Sequence, residues 1–239
     1  MKIVSFKICP FVQRVTALLE QKQVPYDIEY IDLSNKPQWF LAASPNGQVP
    51  ILITDGGDVL FESDAIVEYI DETTGSPLYS RDPIDKARER AWSYLAAKHY
   101  LAQCSAQRSP DAETLDARAA KLQAAFEKIQ PLLGEAPFIG GSAMGMVDIA
   151  WSTLLHRTAL IARRTGYDFL ANLPRARAWR DAILQTGVPD ASVSPDFEAR
   201  FSAFYLADTT HLGQLALARG APAGTVECEC TVEDLGRCA

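Results

Sequence analysis

The chain has few of the features that point toward membranes, nucleic acid or an oxidising compartment. No run of about 18 apolar residues occurs in its 239 residues, so none is long enough to span a bilayer as a helix. Strand-like residues begin directly after Met1, where a secretory signal would carry a basic and then an apolar region. Basic runs are missing as well. Lys and Arg number 23 against 30 Asp and Glu, with the signs interspersed and a net charge of -7, which argues against direct contact with nucleic acid. The five cysteines form no disulfide framework for a chain of this length: Cys9 and Cys104 stand alone, and Cys228, Cys230 and Cys238 crowd into the tail. Two of those tail thiols are separated by one residue and the third is distant, which is not the paired spacing of zinc modules, so no metal is expected. These absences together predict a soluble cytoplasmic protein with no membrane or nucleic-acid partner.

What is present is concentrated at the N-terminus. Lys2–Phe6 alternates β-branched and aromatic residues with polar ones, while Val12, Val15, Leu18 and Leu19 recur at helical spacing. Cys9 therefore falls at a strand-to-helix corner, and Pro10 occupies the first helical position, where its missing N–H would have had no partner anyway. Unpaired N–H groups at the helix start favour thiolate over thiol and can bring a cysteine pKa from about 8.5 to roughly 3.5–7.5. Cys9 is the candidate nucleophile. The fourth position of a Cys-x-x-Cys motif holds Val12, so a mixed disulfide on Cys9 has to be resolved by an external thiol. Read alone, Cys9 is also compatible with a buried cysteine acting as a small apolar side chain.

Along the chain, 26–31 alternates as a second strand after the first helix, giving a strand, helix, strand unit with parallel pairing. Ser34 and Pro37 introduce a short helix at 38–41, Ser44–Gly47 breaks it, and 48–53 is a strand in which Pro50 belongs at an edge or at the first residue. Asp55–Asp58 is a tight-turn signal between that strand and 59–62, predicting a hairpin. Ser63 then caps a helix carrying Ile66, Val67 and Ile70, which stops at Gly75. The order βαβ-α-ββα is a thioredoxin-like α/β layout over 1–76. Residues 77–83, with two prolines, form a linker. An all-α domain follows over 84–208, with helices at about 84–107, 113–133, 146–165, 174–186 and 195–206. From about Thr209 the pattern decays, and 209–239 is taken as a tail.

Four segments in order carry a resemblance to a known family: Cys9-Pro10-Phe11 with Gln13-Arg14; Asn35 to Phe40; Pro45-Asn46-Gly47-Gln48-Val49-Pro50; and Phe61-Glu62-Ser63 followed by Glu68-Tyr69-Ile70-Asp71-Glu72. Over roughly 1–206 the chain resembles the glutathione transferase superfamily, and within it the cysteine-type omega class. The resemblance implies glutathione as cosubstrate and a cis proline at Pro50. It implies that Val49 pairs strand-fashion with the cysteinyl unit of glutathione, that Glu62 takes its ammonium, and that Ser63, at a helix N-terminus, takes its α-carboxylate. Lys36 would meet the glycyl carboxylate, with Phe11 beside the thiol. Arg14 is either a supporting residue behind the site or a structural ion-pair partner. One departure is Gly145 where the family places Ser or Thr at a helix start, which predicts a looser start to that helix. The unmatched tail is another.

The activity so implied is a glutathione-dependent thiol transferase or reductase working through a mixed disulfide on Cys9. Its substrates would be dehydroascorbate, glutathionyl disulfides or small glutathione conjugates. Conjugation of glutathione to electrophiles is an alternative, as is a non-enzymatic regulator of the same fold. Phe11, Tyr94, His99, Trp151 and His156 are candidates for the wall of a second-substrate cleft. A homodimer is expected, with Trp92 and Tyr94 in its dimer-facing region.

Overall fold

In the computed structural model of the chain, residues 1–220 are described. The expected unit at the N-terminus forms as β1 (Lys2–Ser5), α1 (Pro10–Gln21), β2 (Asp27–Tyr30), α2 (Gln38–Ala43), β3 (Ile51–Ile53), β4 (Val59–Phe61) and α3 (Ser63–Thr73). The four strands make one sheet in the order β2-β1-β3-β4. β1 runs parallel to β2, with Val4 opposite Glu29, and antiparallel to β3, with Val4 opposite Ile51. Ile3 and Val4 point to opposite faces of the central strand and both are fully buried, so this is a sheet covered on both sides.

The helical domain comprises α4 (Pro83–Gln107), α5 (Ala112–Ile129), α6 (Met146–Thr165), α7 (Pro174–Gln185), α8 (Val188–Ala191), α9 (Phe197–Tyr205) and α10 (His211–Ala218). Asp82 caps α4 by accepting from the backbone N–H groups of Ile84 (2.9 Å) and Asp85 (3.0 Å). α6 is the axis of this half. It packs against α4, α7 and α10, and also against α1 of the sheet domain.

Five expectations need correction. The helix over 113–133 ends at Ile129, because Pro131 lies in a 3-10 turn over Gln130–Leu132. The helix expected over 195–206 is α9 alone, and the four-residue α8 before it was not foreseen. Ser63 is the first residue of α3; the capping position belongs to Glu62, at φ 68°. Pattern loss at Thr209 is only apparent. Thr210 caps α10 through Gly213 N–H (3.0 Å), and Gly213 is required because a Cβ there would lie 1.9 Å from the Ala207 carbonyl oxygen. The cysteine-rich part of the tail, with Cys228, Cys230 and Cys238, lies outside the described residues.

The start of α6 is the fifth. Gly145 brings no side chain, yet the turn is held by Asp148, whose Oδ2 accepts from Gly145 N–H (2.9 Å) while Oδ1 accepts from Ile139 N–H (3.0 Å) and from the Trp179 indole (2.7 Å). Burial pushes the Asp148 carboxyl above its ordinary pKa, and these bonds work in the other direction. A fully buried carboxylate with three donors replaces the missing cap.

Candidate active site

Cys9 occupies the capping position of α1 and Pro10 its first turn, as the corner geometry requires. The thiol residue is 3% exposed. Its backbone N–H donates to Phe6 O (3.2 Å) and its carbonyl accepts from Gln13 N–H (3.1 Å), which fixes the corner on both sides.

On one side of this corner lies an open depression lined by Phe11, Asn46, Val49, Pro50, Glu62 and Ser63. The Val49–Pro50 peptide is cis. The β3 ladders begin at Ile51, so Val49 stands just outside them, next to the edge of the depression. Glu62 is one of two residues other than glycine with positive φ among the described residues. This sparsely populated conformation directs the chain from β4 into α3 at the site, where stored strain is commonly found. Asn46 Nδ2 donates to Glu62 Oε1 (3.1 Å). Ser63 and Asp64 open α3, so its first N–H groups and its dipole favour a negative group here.

The structure thus brings Phe11, Val49, Pro50, Glu62 and Ser63 together. Lys36 is not on the lining; its ammonium donates to Gly47 O (2.6 Å) nearby. Arg14 is fully buried and forms an ion pair with Asp64, which lines the depression, so the ion pair lies directly behind the depression and fits both of its readings. Burial opposes its charge, but the fields of Tyr100 and Asp64 and the bond to Asp64 outweigh that cost and raise its pKa.

Cys9 faces a different space. It lines a narrow crevice with Lys7, Gln13, Tyr30, Ser194 and Phe197. That crevice shares Val193, Ser194 and Phe197 with a cavity of about 430 Å³ bordered by His156, Leu160, Arg163 and Asp190. Cys9 therefore sits between an open depression in the sheet domain and a roomier cavity walled by α6, α8 and α9. Lys7 Nζ donates to Asp196 Oδ2 (2.7 Å), and Arg200 Nε donates to the same oxygen (2.6 Å), tying α9 to the strand-to-helix corner. Partial burial disfavours the Asp196 charge, but the bonds from Lys7, Arg200 and Ser194 win and hold its carboxyl well below the usual range.

Of the other cleft candidates, only His156 reaches this cavity. Trp151 is fully buried, donates its indole N–H to Trp92 O (3.0 Å) and packs on Phe126 and Trp179, so it is core. His99 bonds Leu95 O of its own helix (2.7 Å), and Tyr94 donates to Glu68 Oε1 (2.6 Å). Reasoning from sequence missed Arg157. This fully buried arginine on α6 donates from Nη2 to Ile8 O (3.0 Å) and from Nε to Gln13 Oε1 (3.1 Å). An arginine flanked by Leu154, Leu155, Leu160 and Ile161 at helical spacing was the available signal, since a charged side chain on a buried face needs polar partners.

A thioredoxin-like sheet with a cysteine at the start of its first helix, followed by an all-helical domain whose α8 and α9 border that cysteine, defines a two-domain architecture. The glutathione S-transferase family is the one this chain belongs to: residues 8–73 match the model for the "Glutathione S-transferase, N-terminal domain" and residues 112–182 that for the "Glutathione S-transferase, C-terminal domain". Pyrimidodiazepine synthase of Drosophila melanogaster is 31% identical over 210 residues, covering 82% of this chain and 84% of that protein. Glutathione S-transferase omega-1 of Sus scrofa is 27% identical over 210 residues, covering 86% of each. Among solved structures, glutathione transferase Omega 3C from Trametes versicolor shares the fold with a TM-score of 0.70 at 23% identity, covering 81% of this chain and 88% of that one. No helix among the described residues is long and apolar enough to cross a membrane.

Proposed function

We propose that the protein is a glutathione-dependent thiol transferase or reductase in which Cys9 is the nucleophile. The observation that supports this most is the cysteine at the start of α1, next in sequence but one to Phe11, which lines the depression with Val49, Pro50, Glu62 and Ser63. Glutathione would lie with its cysteinyl backbone along Val49, its ammonium at Glu62 and its α-carboxylate at the α3 N-terminus with Ser63. Lys36, near Gly47, would reach the glycyl carboxylate from the rim. The second substrate would enter from the crevice and cavity near His156.

With a glutathionyl disulfide as substrate, the Cys9 thiolate attacks the glutathione sulfur and the S–S bond breaks. The departing thiolate takes up a proton, and Cys9 keeps glutathione as a mixed disulfide. A second glutathione thiolate attacks that bond, releasing oxidised glutathione and restoring Cys9. With dehydroascorbate the Cys9 thiolate would add to a carbonyl carbon, whose oxygen takes a proton; a first glutathione thiolate attacks the Cys9 sulfur, breaking the C–S bond and releasing ascorbate, and a second frees Cys9 as oxidised glutathione leaves. The position one helical turn after Cys9 is Gln13, and Val12 precedes it, so this resolution from outside follows from the local sequence.

Trypsin cuts after Lys7 and Arg14, isolating Cys9 on the peptide Ile8–Arg14 away from every other cysteine. Incubation with a glutathionyl mixed disulfide should add one glutathionyl group to this peptide, removed by reduced glutathione with turnover. A protein that neither gains the adduct nor turns over glutathionyl disulfides or dehydroascorbate would refute the proposal. Retention on immobilised glutathione separately tests the depression.

A further inference from the structure

Four side chains form an unbroken polar chain behind the nucleophile, running across the boundary between the domains. Arg157 Nη2 donates to Ile8 O at 3.0 Å and Arg157 Nε donates to Gln13 Oε1 at 3.1 Å. Gln13 Nε2 meets His156 Nδ1 at 2.8 Å, and His156 Nε2 meets Asp190 Oδ1 at 3.1 Å. The bonds fix their own direction. Because the Gln13 oxygen is taken by Arg157, its amide nitrogen donates, so His156 Nδ1 accepts and Nε2–H donates to Asp190.

Arg157 is fully buried, with its guanidinium over the rings of Phe197 (5.4 Å) and Phe201 (5.7 Å). Nη1 is buried with no hydrogen-bond partner among the described residues. Ile8 immediately precedes Cys9, and Gln13 N–H binds the Cys9 carbonyl, so the two groups that Arg157 grips flank the nucleophile on both sides. A lone buried guanidinium is costly to keep charged, and its retention here asks for an anion to offset it.

We propose that Arg157 of the helical domain is the positioning residue for Cys9, its fork holding Ile8 and Gln13 while its charge offsets the thiolate. This rests on Cys9 being the nucleophile. Cys104, behind the corner on α4, reports the cluster. Burial raises its thiol pKa, Arg157 lowers it and Cys9 raises it, so Cys104 lies within the fields of both groups. Of the other charged groups around the corner, Arg14 is bonded to Asp64, Lys7 across the crevice is paired with Asp196, and Asp190 is engaged by His156.

The test is the rate of carbamidomethylation of the Ile8–Arg14 peptide by iodoacetamide, measured by mass spectrometry against pH. Arg157→Met, folded by circular dichroism, should move the midpoint up by at least one pH unit and so cut the rate about tenfold at a pH one unit or more below the parent midpoint. Arg157→Lys keeps a cation without the fork. It should stay within half a unit of the parent midpoint while kcat for glutathionyl transfer falls and KM for glutathione holds. If Arg157→Met does not fold, Arg157→Gln replaces it, because it keeps a donor for Ile8 O but no charge. A folded neutral variant with the parent midpoint overturns the proposal. A parent midpoint at or above about 8.5 fails earlier, at the thiolate itself, and so is distinguishable from a failure of Arg157 alone.

Discussion

Replacing Asp148 should release the start of α6, and with it the helix that carries His156 and Arg157 to the site. The carboxylate accepts from Ile139 N–H, Gly145 N–H and the Trp179 indole and is wholly buried, so Asp148→Ala leaves three donors without a partner in a space closed to water. Each stranded donor costs about 1–3 kcal/mol, reduced where the loop relaxes, and the mutation also recovers the cost of burying the charge. A net loss of about 3–5 kcal/mol is expected, which for a chain of this size lowers the thermal midpoint by roughly 6–20 °C. Asp148→Asn discriminates further. Its oxygen can keep Ile139 and Trp179, but its amide nitrogen then confronts Gly145 N–H, so a loss of about 1–2 kcal/mol is expected. Thermal denaturation followed by the fluorescence of Trp151 and Trp179 measures both. Equal midpoints for the parent and Asp148→Ala would show that the α6 start does not depend on this carboxylate.

Cys9→Ala should abolish thiol transfer and leave retention on immobilised glutathione intact; undiminished turnover would move the chemistry to another residue. Glu62→Ala should weaken glutathione by roughly 1.5–3 kcal/mol and Ser63→Ala by less, with unchanged calorimetric affinity in both removing the γ-glutamyl assignment. The folded-state pKa of Asp196 is depressed, so its contribution is present above the unfolded value near 3.9 and is lost as pH falls through the folded value. With its side chain 39% exposed the effect is within about 1 kcal/mol: the melting difference between the parent and Asp196→Asn should shrink from pH 5 to pH 2, and a constant difference refutes it. Light scattering at micromolar concentration should give twice the chain mass; a value near 26.2 kDa excludes the homodimer.

The sheet domain was legible because its signals are local. Alternation marks β1, Pro10 marks the helix start, and Asp55–Asp58 marks the hairpin, each within a few residues. α10 was illegible for the opposite reason: Gly213 looks like a breaker until Ala207 O is seen against its Cα, a contact that periodicity does not encode. Trp151 illustrates the ambiguity of an aromatic on a helix, since spacing gave it a face but not which neighbour that face meets. The Arg157 bond to Ile8 spans 149 positions, and the Gln13 bond to His156 spans 143. Cys9 could be named from its corner, whereas its support from the second domain required the folded chain.

The segment between the domains has a mechanical consequence. Asp71 on α3 and Lys22 after α1 form an ion pair at 2.8 Å with side chains 1% and 4% exposed. Asp71 also accepts from Leu78 N–H (2.8 Å) and Tyr79 N–H (3.2 Å), and Lys22 donates to Ser76 O (3.0 Å). A proline-bearing connection that resembles a hinge in sequence is thus riveted to the sheet domain on its first half, while Asp82 clamps its far end to α4. Such a joint transmits torque instead of absorbing it. The loop 192–196 that walls the Cys9 crevice is fastened to the same frame, Thr16 Oγ1 donating to Ser192 O (2.7 Å) and Lys7 Nζ to Asp196 (2.7 Å), so both the joint and the crevice wall are anchored to the sheet domain.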